Sequence, residues 1–271
     1  MPDTPGAGNA TSYLMTTRPG GSNASNNHDC GIVAIVTFHN EIKQMLKLYY
    51  HPSPNPAKIA LYLEEAGLDY EMIPVDTRKG EQHDAAFKKI NPNAKTPALI
   101  DADTGATVFD STAILLYLAD KTGQFALPAD PQVKAQALSW LMFIATGIGP
   151  YSGQCVHFRH FAPAGNDYAL NRYDYEAKRH WQLIDDHLAE HAYMAGEQYG
   201  LVDIALWGWC APLPFIMGND DAWSSYPNIK RLFDEINARP AAERAQAVKA
   251  QHAFKSEMDD DARKQMFPQN Y

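Results

Sequence analysis

The 271-residue sequence has few cysteines, no cluster of basic residues and no long apolar run. Its cysteines, Cys30, Cys155 and Cys210, are widely spaced and form no C-x-x-C pair, which argues against a disulfide scaffold and indicates a reducing, cytoplasmic compartment. The net charge is −9 and the basic residues are dispersed, so neither nucleic acid nor an anionic membrane is an expected partner. The longest apolar stretches, at residues 31–38 and 113–119, are far shorter than the roughly 18 residues that a membrane span needs.

The first 44 residues differ in composition from the rest of the chain. They are rich in glycine, proline, serine and asparagine, as in Arg18–Asn27, and such a segment buries too little apolar surface to offset its chain entropy. The sequence therefore predicts a disordered or non-native extension over residues 1–44. The chain as a whole is 45% hydrophobic and 20% charged, which is typical of a globular protein.

Residues 45–123 show the mixture of strand and helix patterns that is typical of an α/β domain. Leu46–Tyr50 alternates as a strand, Pro56–Ala66 carries apolar residues at helical spacing, and Tyr70–Val75 is a second strand. Such a strand–helix–strand unit is parallel and right-handed. A polar helix, a hairpin of two short strands and a closing helix are predicted to follow, at residues 81–90, 97–100, 106–109 and 111–121.

Beyond Gly123 the strand patterns end and helical patterns take over. Pro128–Pro131 predicts a linker into this second region. The predicted helices span residues 132–146, 168–192, 202–216, 229–238 and 241–254. We therefore expect three parts after the extension, namely an α/β domain over residues 45–123, an all-helical domain over residues 131–256 and a tail over residues 257–271.

A helix N-terminus at Asp110–Ser111 predicts an anion site. The pair follows a strand and opens a helix, so free backbone N–H groups and the positive end of the helix dipole meet there. A carboxylate binds well at such a place with help from the Ser111 hydroxyl, and Asp110 suits an ammonium group. An amino-acid head group carries both charges. The alternative is that Asp110 or Ser111 serves only as a helix N-cap.

Two proline-containing pieces offer further polar groups to a ligand. Thr96–Pro97 lies where a loop becomes an edge strand, and a cis peptide bond there would expose the Thr96 N–H and C=O to an extended peptide. Ser53–Pro54–Asn55 lies between the first strand and the first helix, where neutral donors favour a thiolate and lower a thiol pKa from about 8.5. The alternative for this second piece is a turn that caps the helix.

The order of these pieces resembles that of the glutathione transferase family. The resemblance covers residues 45 to about 254. It implies an α/β, thioredoxin-like N-terminal domain that binds glutathione, followed by an all-α C-terminal domain. It also implies that Pro97, with Thr96, pairs with the cysteinyl part of glutathione, and that Asp110, with Ser111, holds the γ-glutamyl head.

Within that family the sequence resembles the bacterial Nu class, which reduces disulfides with two glutathiones. Ser53–Pro54–Asn55 is similar to the Thr-Pro-Asn of that class, and residues 75–82, 91–97, 147–154 and 157–158 extend the likeness. The candidate site residues are Ser53 and Asn55 for catalysis, Gln82 and Lys95 at the glycyl end of glutathione, and Tyr151, His157, Arg159 and His160 in the pocket of the second substrate. For Tyr151 and His157 the alternative is packing between helices.

The sequence departs from the family pattern at three places. Asp110 replaces the usual glutamate, which shortens its reach towards an ammonium group. Gly200 replaces the usual serine or threonine at a helix cap, a change worth a few tenths of a kcal/mol. Arg159 and His160 follow a His-Phe pair where the Nu class has an arginine, and either of them is a candidate for that role.

The resemblance implies a cytoplasmic homodimer that acts on glutathione and a small disulfide or electrophile. Disulfide reduction, with accompanying peroxidase or conjugating activity, is the expected function. The alternatives are an ether-cleaving or dehalogenating transferase on the same scaffold and a non-catalytic binding module. No metal is expected, although His187–His191 spells H-x-x-E-H, because no separate carboxylate stands out as a third ligand.

Overall fold

The computed structural model describes residues 45–270, which all belong to one compact unit. The extension predicted for residues 1–44 and the side chain of Cys30 lie outside the described residues. Within residues 45–270, every helix is too short or too polar to cross a membrane.

A four-stranded mixed sheet forms the centre of the N-terminal region. Strand β1 (Leu46–Tyr50) pairs in parallel with β2 (Tyr70–Pro74) and antiparallel with β3 (Ala98–Asp101), which pairs antiparallel with β4 (Ala106–Phe109). The strand order is β2-β1-β3-β4. Leu48 lies at the centre of the sheet and is fully buried, opposite Met72 on one side and Leu99 on the other.

Three helices accompany the sheet, and their limits follow local signals in the sequence. Helix α1 (Pro54–Glu65) begins with proline in its first turn, and Gly67 follows it with a φ of 64°. Helix α2 (Ala85–Ile90) is shorter than predicted because residues Glu81–His83 form a 3-10 turn. Helix α3 (Ser111–Thr122) closes the region. The thioredoxin-like fold predicted for this part is confirmed.

The second region is helical, as predicted. The first helix predicted for this region, over residues 132–146, is shorter than the helix observed. Helix α4 (Pro131–Phe143) continues through the π-helical turn Ile144–Ile148 into α5 (Gly149–Val156). A second π turn follows at His157–Phe161. The remaining helices are α6 (Asp167–Glu190), α7 (Leu201–Cys210), α8 (Leu213–Met217), α9 (Pro227–Asn237), α10 (Pro240–Ala247) and α11 (Asp260–Met266).

Prolines and glycines explain where these helices differ from the prediction. A Cβ at Gly147 would stand 2.5 Å from Cδ2 of His180, so the glycine inside the continuous helix serves close packing against α6 and does not end the helix. The helix predicted for residues 202–216 divides into α7 and α8 at Ala211–Pro212, because proline lacks the N–H that would continue the ladder.

Helix α1 connects the two regions. A Cβ at Gly208 on α7 would meet the Pro54 carbonyl oxygen at 2.3 Å, so glycine is required for this close approach. At its other end, Glu65 accepts from Arg239 Nε at 2.5 Å. The beginning of α1 is thereby held between the sheet and the helical region, and this is where the predicted catalytic residues lie.

Candidate active site

A cavity of about 580 Å³ lies between the sheet and the helical region, within the range of small-molecule sites. Three loops of the N-terminal region form its inner wall, at residues 51–54, 77–83 and 93–96. Its outer wall comes from α5, from the ends of α7 and α8, and from residues near the C-terminus.

Ser53 stands at the N-cap position of α1 and borders the cavity. Its hydroxyl donates only a long hydrogen bond, 3.5 Å, to the His51 carbonyl, so it can reorient towards a ligand. Asn55 follows two residues later in the first turn of α1 and does not itself border the cavity, and its Oδ1 accepts from Trp209 Nε1 at 3.1 Å. This contact fixes the amide and leaves Nδ2 available as a donor. Both residues therefore offer neutral donors at the start of α1.

The Thr96–Pro97 peptide bond is cis, as the resemblance implied. Lys95 and Thr96 border the cavity, and Asn91 braces this loop by donating from Nδ2 to the Lys95 carbonyl at 2.6 Å. Gln82 borders the same end of the cavity and is only 5% exposed. Its Oε1 is buried and has no hydrogen-bond partner among residues 45–270. Such an acceptor suits an N–H group of a bound peptide.

Asp110 is the N-cap of α3. In the free protein its side chain therefore makes the contacts of a helix cap, which was the alternative to an anion site. With a φ of 70°, it accepts at Oδ1 from the N–H groups of Thr112 at 2.8 Å and Ala113 at 3.2 Å. Neither Asp110 nor Ser111 borders the cavity. Lys58 is 1% exposed; burial lowers its pKa to about 8, and the neighbouring Asp110 carboxylate opposes that shift.

The four residues predicted for the second-substrate pocket lie behind the outer wall and do not border the cavity. Arg159 donates to the Ile216 carbonyl and pairs with Asp174. His160 stacks on Phe215, with ring centroids 3.8 Å apart, and Tyr151 packs on His180. His157 contacts the ring of Phe267 edge-on at 4.7 Å.

Side chains next to those predicted form the outer wall instead. They are Val156, Phe161, Trp209, Phe215 and Ile216. A π turn holds one residue more than an α-helical turn, so the π turn at His157–Phe161 rotates the face that regular helical spacing would present. The sequence-based assignment of Arg159 and His160 came from the resemblance to the Nu class, and Phe161, which borders the cavity, lies directly after them.

His51 borders the cavity and was missed by the sequence analysis. It is 8% exposed, its Nδ1 accepts from Thr77 N–H at 3.4 Å, and its ring contacts Phe254 edge-on. Burial lowers its pKa to about 4; Asp76 opposes this shift and Arg78 adds to it. The imidazole is therefore neutral at physiological pH. A histidine directly after a strand and two residues before Ser53 was the available signal.

The C-terminal strap, which we define as residues 255–270, was predicted only as a tail. It returns to the inner wall, where Arg78 donates to the carbonyls of Lys255 at 3.0 Å and Ser256 at 2.6 Å. Gln82 Nε2 donates to the Gln265 carbonyl at 3.1 Å. The strap residues that border the cavity are Met258, Met266, Phe267, Pro268 and Gln269. Apolar side chains in an otherwise polar terminus were the signal for this role.

The junction of the strap with the inner wall is incompletely hydrogen-bonded. Within residues 45–270, four buried side-chain atoms lack a hydrogen-bond partner. Arg78 Nε and Gln82 Oε1 lie in the 77–83 loop, Arg263 Nε lies in the strap, and His252 Nε2 lies three residues before the strap. Each such atom carries a desolvation cost of about 1–3 kcal/mol. The strap is therefore held less firmly than the strands of the sheet.

Comparison with known proteins identifies the fold family. The chain matches the glutathione S-transferase N-terminal domain over residues 44–120 and the C-terminal domain over residues 161–240. It is 41% identical over 219 residues to the disulfide-bond oxidoreductase YfcG of Escherichia coli (strain K12), covering 76% of this chain and 96% of that protein. The disulfide-bond oxidoreductase YghU of the same strain is 36% identical over 220 residues, with coverages of 76% and 75%.

Solved structures give the same result. A glutathione transferase from Pseudomonas putida, crystallised with one glutathione disulfide per subunit, has a TM-score of 0.71 at 34% identity, over 77% of this chain and 93% of that chain. The glutathione transferase URE2P6 from Phanerochaete chrysosporium, in complex with oxidized glutathione, has a TM-score of 0.72 at 30% identity, with coverages of 77% and 98%. On this evidence the chain belongs to the glutathione S-transferase family.

Proposed function

We propose that the protein is a glutathione-dependent disulfide reductase of the Nu-class type. The observation that carries the proposal is a pair of neutral donors at the start of α1: Ser53, which borders the cavity, and Asn55, two residues further along the helix. No described cysteine borders the cavity. Cys155 and Cys210 are both buried elsewhere. The nucleophile must therefore arrive with the substrate. The names of the two Escherichia coli relatives and the glutathione disulfide bound to the Pseudomonas putida protein support this choice.

The reaction needs two glutathiones and no electrons from the protein. Donors near Ser53 and the N-terminus of α1 stabilise the first glutathione thiolate, which attacks one sulfur of the disulfide. A mixed disulfide forms and one thiolate leaves and takes up a proton. The thiolate of a second glutathione then attacks the glutathionyl sulfur, giving glutathione disulfide and the second product thiol. Two thiols are oxidised for each disulfide reduced, so the exchange balances.

The inner wall suits glutathione at its glycyl end and its centre. Lys95 supplies a cation for the glycyl carboxylate, and Gln82 Oε1 supplies the unoccupied acceptor. We assign Thr96 and Pro97 to the cysteinyl part. Asp110 and Ser111 are assigned to the γ-glutamyl head at the N-terminus of α3, where the exposed Asp110 keeps its Oδ2 free of the cap contacts.

The outer wall suits the disulfide. Its aromatic side chains Phe161, Trp209 and Phe215 and the strap residue Phe267 offer apolar contact to the group attached to sulfur. We propose that Tyr151, His157, Arg159 and His160 support these side chains from behind, since three of the four contact a residue that borders the cavity.

We further propose a cytoplasmic homodimer. Large apolar side chains remain exposed on the N-terminal and helical regions, including Phe109 on β4, Met142 on α4 and Tyr175 on α6. Large exposed apolar side chains support an interface with a second copy, since contiguous apolar patches mark interfaces in soluble proteins. Sedimentation equilibrium of the purified chain at micromolar concentration should give twice the monomer mass, and a monomer would contradict the proposal.

Alanine substitutions test the catalytic assignment. In a steady-state assay with glutathione and bis(2-hydroxyethyl) disulfide, Ser53→Ala or Asn55→Ala should lower kcat by about 100-fold, as loss of a thiolate-stabilising donor does. The Kd for glutathione should change less than about threefold, because the rest of the tripeptide keeps its contacts.

Ser139→Ala is a matched control, since this exposed hydroxyl on α4 donates only to the Ala135 carbonyl. If both site variants turned over at the rate of this control, the roles of Ser53 and Asn55 would be wrong. If neither the wild type nor the variants reduced the disulfide, the proposed function itself would be wrong.

A further inference from the structure

Lys58 is a buried cation that has no role in the reaction described above. It lies on α1 and is 1% exposed. Its ammonium group makes no hydrogen bond or ion pair within residues 45–270. A lysine is almost never buried to this extent unless its charge is paired, because the loss of hydration is costly. Lys58 therefore requires either a neutral amine or an anion that comes from outside the chain.

Packing places Lys58 between α1, α7 and the start of α3. A Cβ at Gly208 on α7 would stand 3.2 Å from the Cβ of Lys58, so the base of the lysine side chain lies against that helix. The charged group that acts on the ammonium is the carboxylate of Asp110, which caps α3. The far end of the lysine side chain is therefore within electrostatic range of the N-terminus of α3.

The other charged side chains of the surrounding helices are paired with other groups, hold a helix cap or are exposed. In α1, α3, α7 and α10 they are Glu64 with Arg244, Glu65 with Arg239, Lys121 with Asp101, Asp203 in the first turn of α7, and the exposed Asp120 and Glu243. Among the described residues, none of these neutralises the buried lysine.

The start of α3 has donors that are still unused. Ser111 is 6% exposed, and its hydroxyl has no hydrogen-bond partner in the described part of the chain. Its N–H belongs to the first residue of the helix and so has no acceptor within the helix. The next two N–H groups already donate to Asp110 Oδ1. Two unused donors, a buried cation and the positive end of a helix together favour an anion at this place.

We propose that Lys58 is the counter-charge for the α-carboxylate of the γ-glutamyl head group, which it binds together with the hydroxyl and the N–H of Ser111. The inference rests on the proposed function, which assigns the γ-glutamyl head to the N-terminus of α3. It divides the head group between two side chains of opposite charge, since Asp110 faces the ammonium group and Lys58 faces the carboxylate. Lys58 is thereby a determinant of specificity for an amino-acid head group.

The charge of Lys58 then depends on the ligand. In the free protein burial lowers the pKa of Lys58 to about 8, so at pH 8 about half of the molecules carry a neutral amine. A carboxylate bound beside the amine favours the charged form and raises the pKa. Binding at pH 8 should therefore take up about half a proton at Lys58, whereas at pH 6.5 the ammonium is already formed and almost no proton is taken up.

Isothermal titration of the full chain with S-methylglutathione tests the contact, because the S-methyl group removes the titration of the thiol. The S-methyl form of 4-aminobutyryl-cysteinylglycine differs from this ligand only by lacking the α-carboxylate. At pH 7 the wild type should prefer S-methylglutathione by about 30-fold. Lys58→Met keeps the length of the side chain without its charge and should reduce that preference to about threefold, the part left to Ser111.

Titrations in buffers of different ionisation enthalpy count the protons. At pH 8 the wild type should take up about half a proton more than Lys58→Met on binding S-methylglutathione, and at pH 6.5 the two proteins should be equal. The amine of the ligand and the carboxylate of Asp110 contribute equally to both proteins, so the difference reports Lys58.

Lys134→Met is the control, because Lys134 is exposed on α4 and forms no ion pair within the described residues. It should behave like the wild type in both titrations. Equal preference for the carboxylate in the wild type and Lys58→Met, or equal proton uptake at pH 8, would overturn the role of Lys58. A lysine with only a structural role would instead lower the thermal stability of the free protein when replaced and would change neither titration.

The outcome is separable from that of the proposed reaction. Binding that depends on Lys58 in a protein that reduces no disulfide would refute the reaction and support the contact. Disulfide reduction in a protein whose binding is independent of Lys58 would refute the contact and support the reaction. Absence of S-methylglutathione binding to the wild type would overturn both.

Discussion

The two walls of the cavity are built in different ways. The inner wall comes from three loops within residues 51–96, which are attached to a continuous sheet and to the start of α1. The outer wall combines α5, the ends of α7 and α8, and the C-terminal strap, which are joined by side-chain contacts across more than 100 residues of sequence. Backbone hydrogen bonds of the sheet therefore stabilise the inner wall, where the candidate catalytic residues lie. Side-chain contacts stabilise the outer wall, which is assigned to the second substrate.

The largest effect on stability that we expect concerns His51 in the inner wall. Its pKa is about 4 in the folded protein, against about 6.5 in an unfolded chain. Between these values the unfolded state binds more protons, so stability falls as pH decreases from 6.5 through 4. At pH 5 this histidine should have removed about 2 kcal/mol of the stability that is present at pH 7.5.

His51→Asn isolates this contribution, because its side-chain oxygen can still accept from Thr77 N–H. Urea unfolding at pH 7.5 and pH 5 should show that the variant loses about 2 kcal/mol less than the wild type. Other titrating groups contribute equally to both proteins. Identical losses in the two proteins would show that the buried imidazole takes up its proton as readily as an exposed one.

The next effect concerns the attachment of the outer wall. Arg78→Ala removes two charge-assisted hydrogen bonds to the strap, at the Lys255 and Ser256 carbonyls, which are worth about 2 kcal/mol. Hydrogen exchange of the peptide covering residues 255–270 should accelerate by about tenfold or more, while the strands of the sheet remain protected. Arg231→Ala is the control, since Arg231 also donates to backbone carbonyls but lies far from the strap. Equal acceleration in both variants would contradict the role of Arg78 in attaching the strap.

This difference between the two walls explains how much of the site could be predicted from the sequence. Ser53, Lys95 and Thr96 lie at ends of strands, where local patterns identify the element and its direction, and they do border the cavity. The outer wall depends on a π turn that shifts the helical face and on a chain terminus that returns over a long distance. Neither leaves a periodic pattern in the sequence, and Phe161, which borders the cavity, was not among the predicted residues.

A smaller effect is expected from the strap side chain that faces the substrate. Phe267→Ala removes an aromatic ring that packs on His157 and Phe161 at the cavity. The ratio of kcat/KM for a bulky aromatic disulfide to that for bis(2-hydroxyethyl) disulfide should fall by about tenfold, because the aromatic group loses an apolar contact, with most of the change in KM. Tyr168→Ala, which alters a side chain that is 88% exposed, is the control. An unchanged ratio would show that the strap does not select the substrate.

The smallest effect concerns α7, which carries Trp209 into the outer wall. Its first turn is held by a buried side chain: Asp203 accepts from Met194 N–H at 2.8 Å and from Gly200 N–H at 2.9 Å. Gly200 occupies the N-cap with φ −155°, an extended conformation open to any residue, and a Cβ there would meet only the Gln198 carbonyl at 3.9 Å. Since glycine has no side chain, the reciprocal cap bond is missing.

Gly200→Ser should therefore complete the cap and raise the free energy of unfolding by about 0.5 kcal/mol. Gly200→Ala separates the two causes, because it reduces the freedom of the unfolded chain without adding an acceptor for the first turn. Urea unfolding should rank serine above alanine. If alanine stabilised as much as serine, chain entropy alone would explain the gain, and the cap of α7 would already be complete through Asp203.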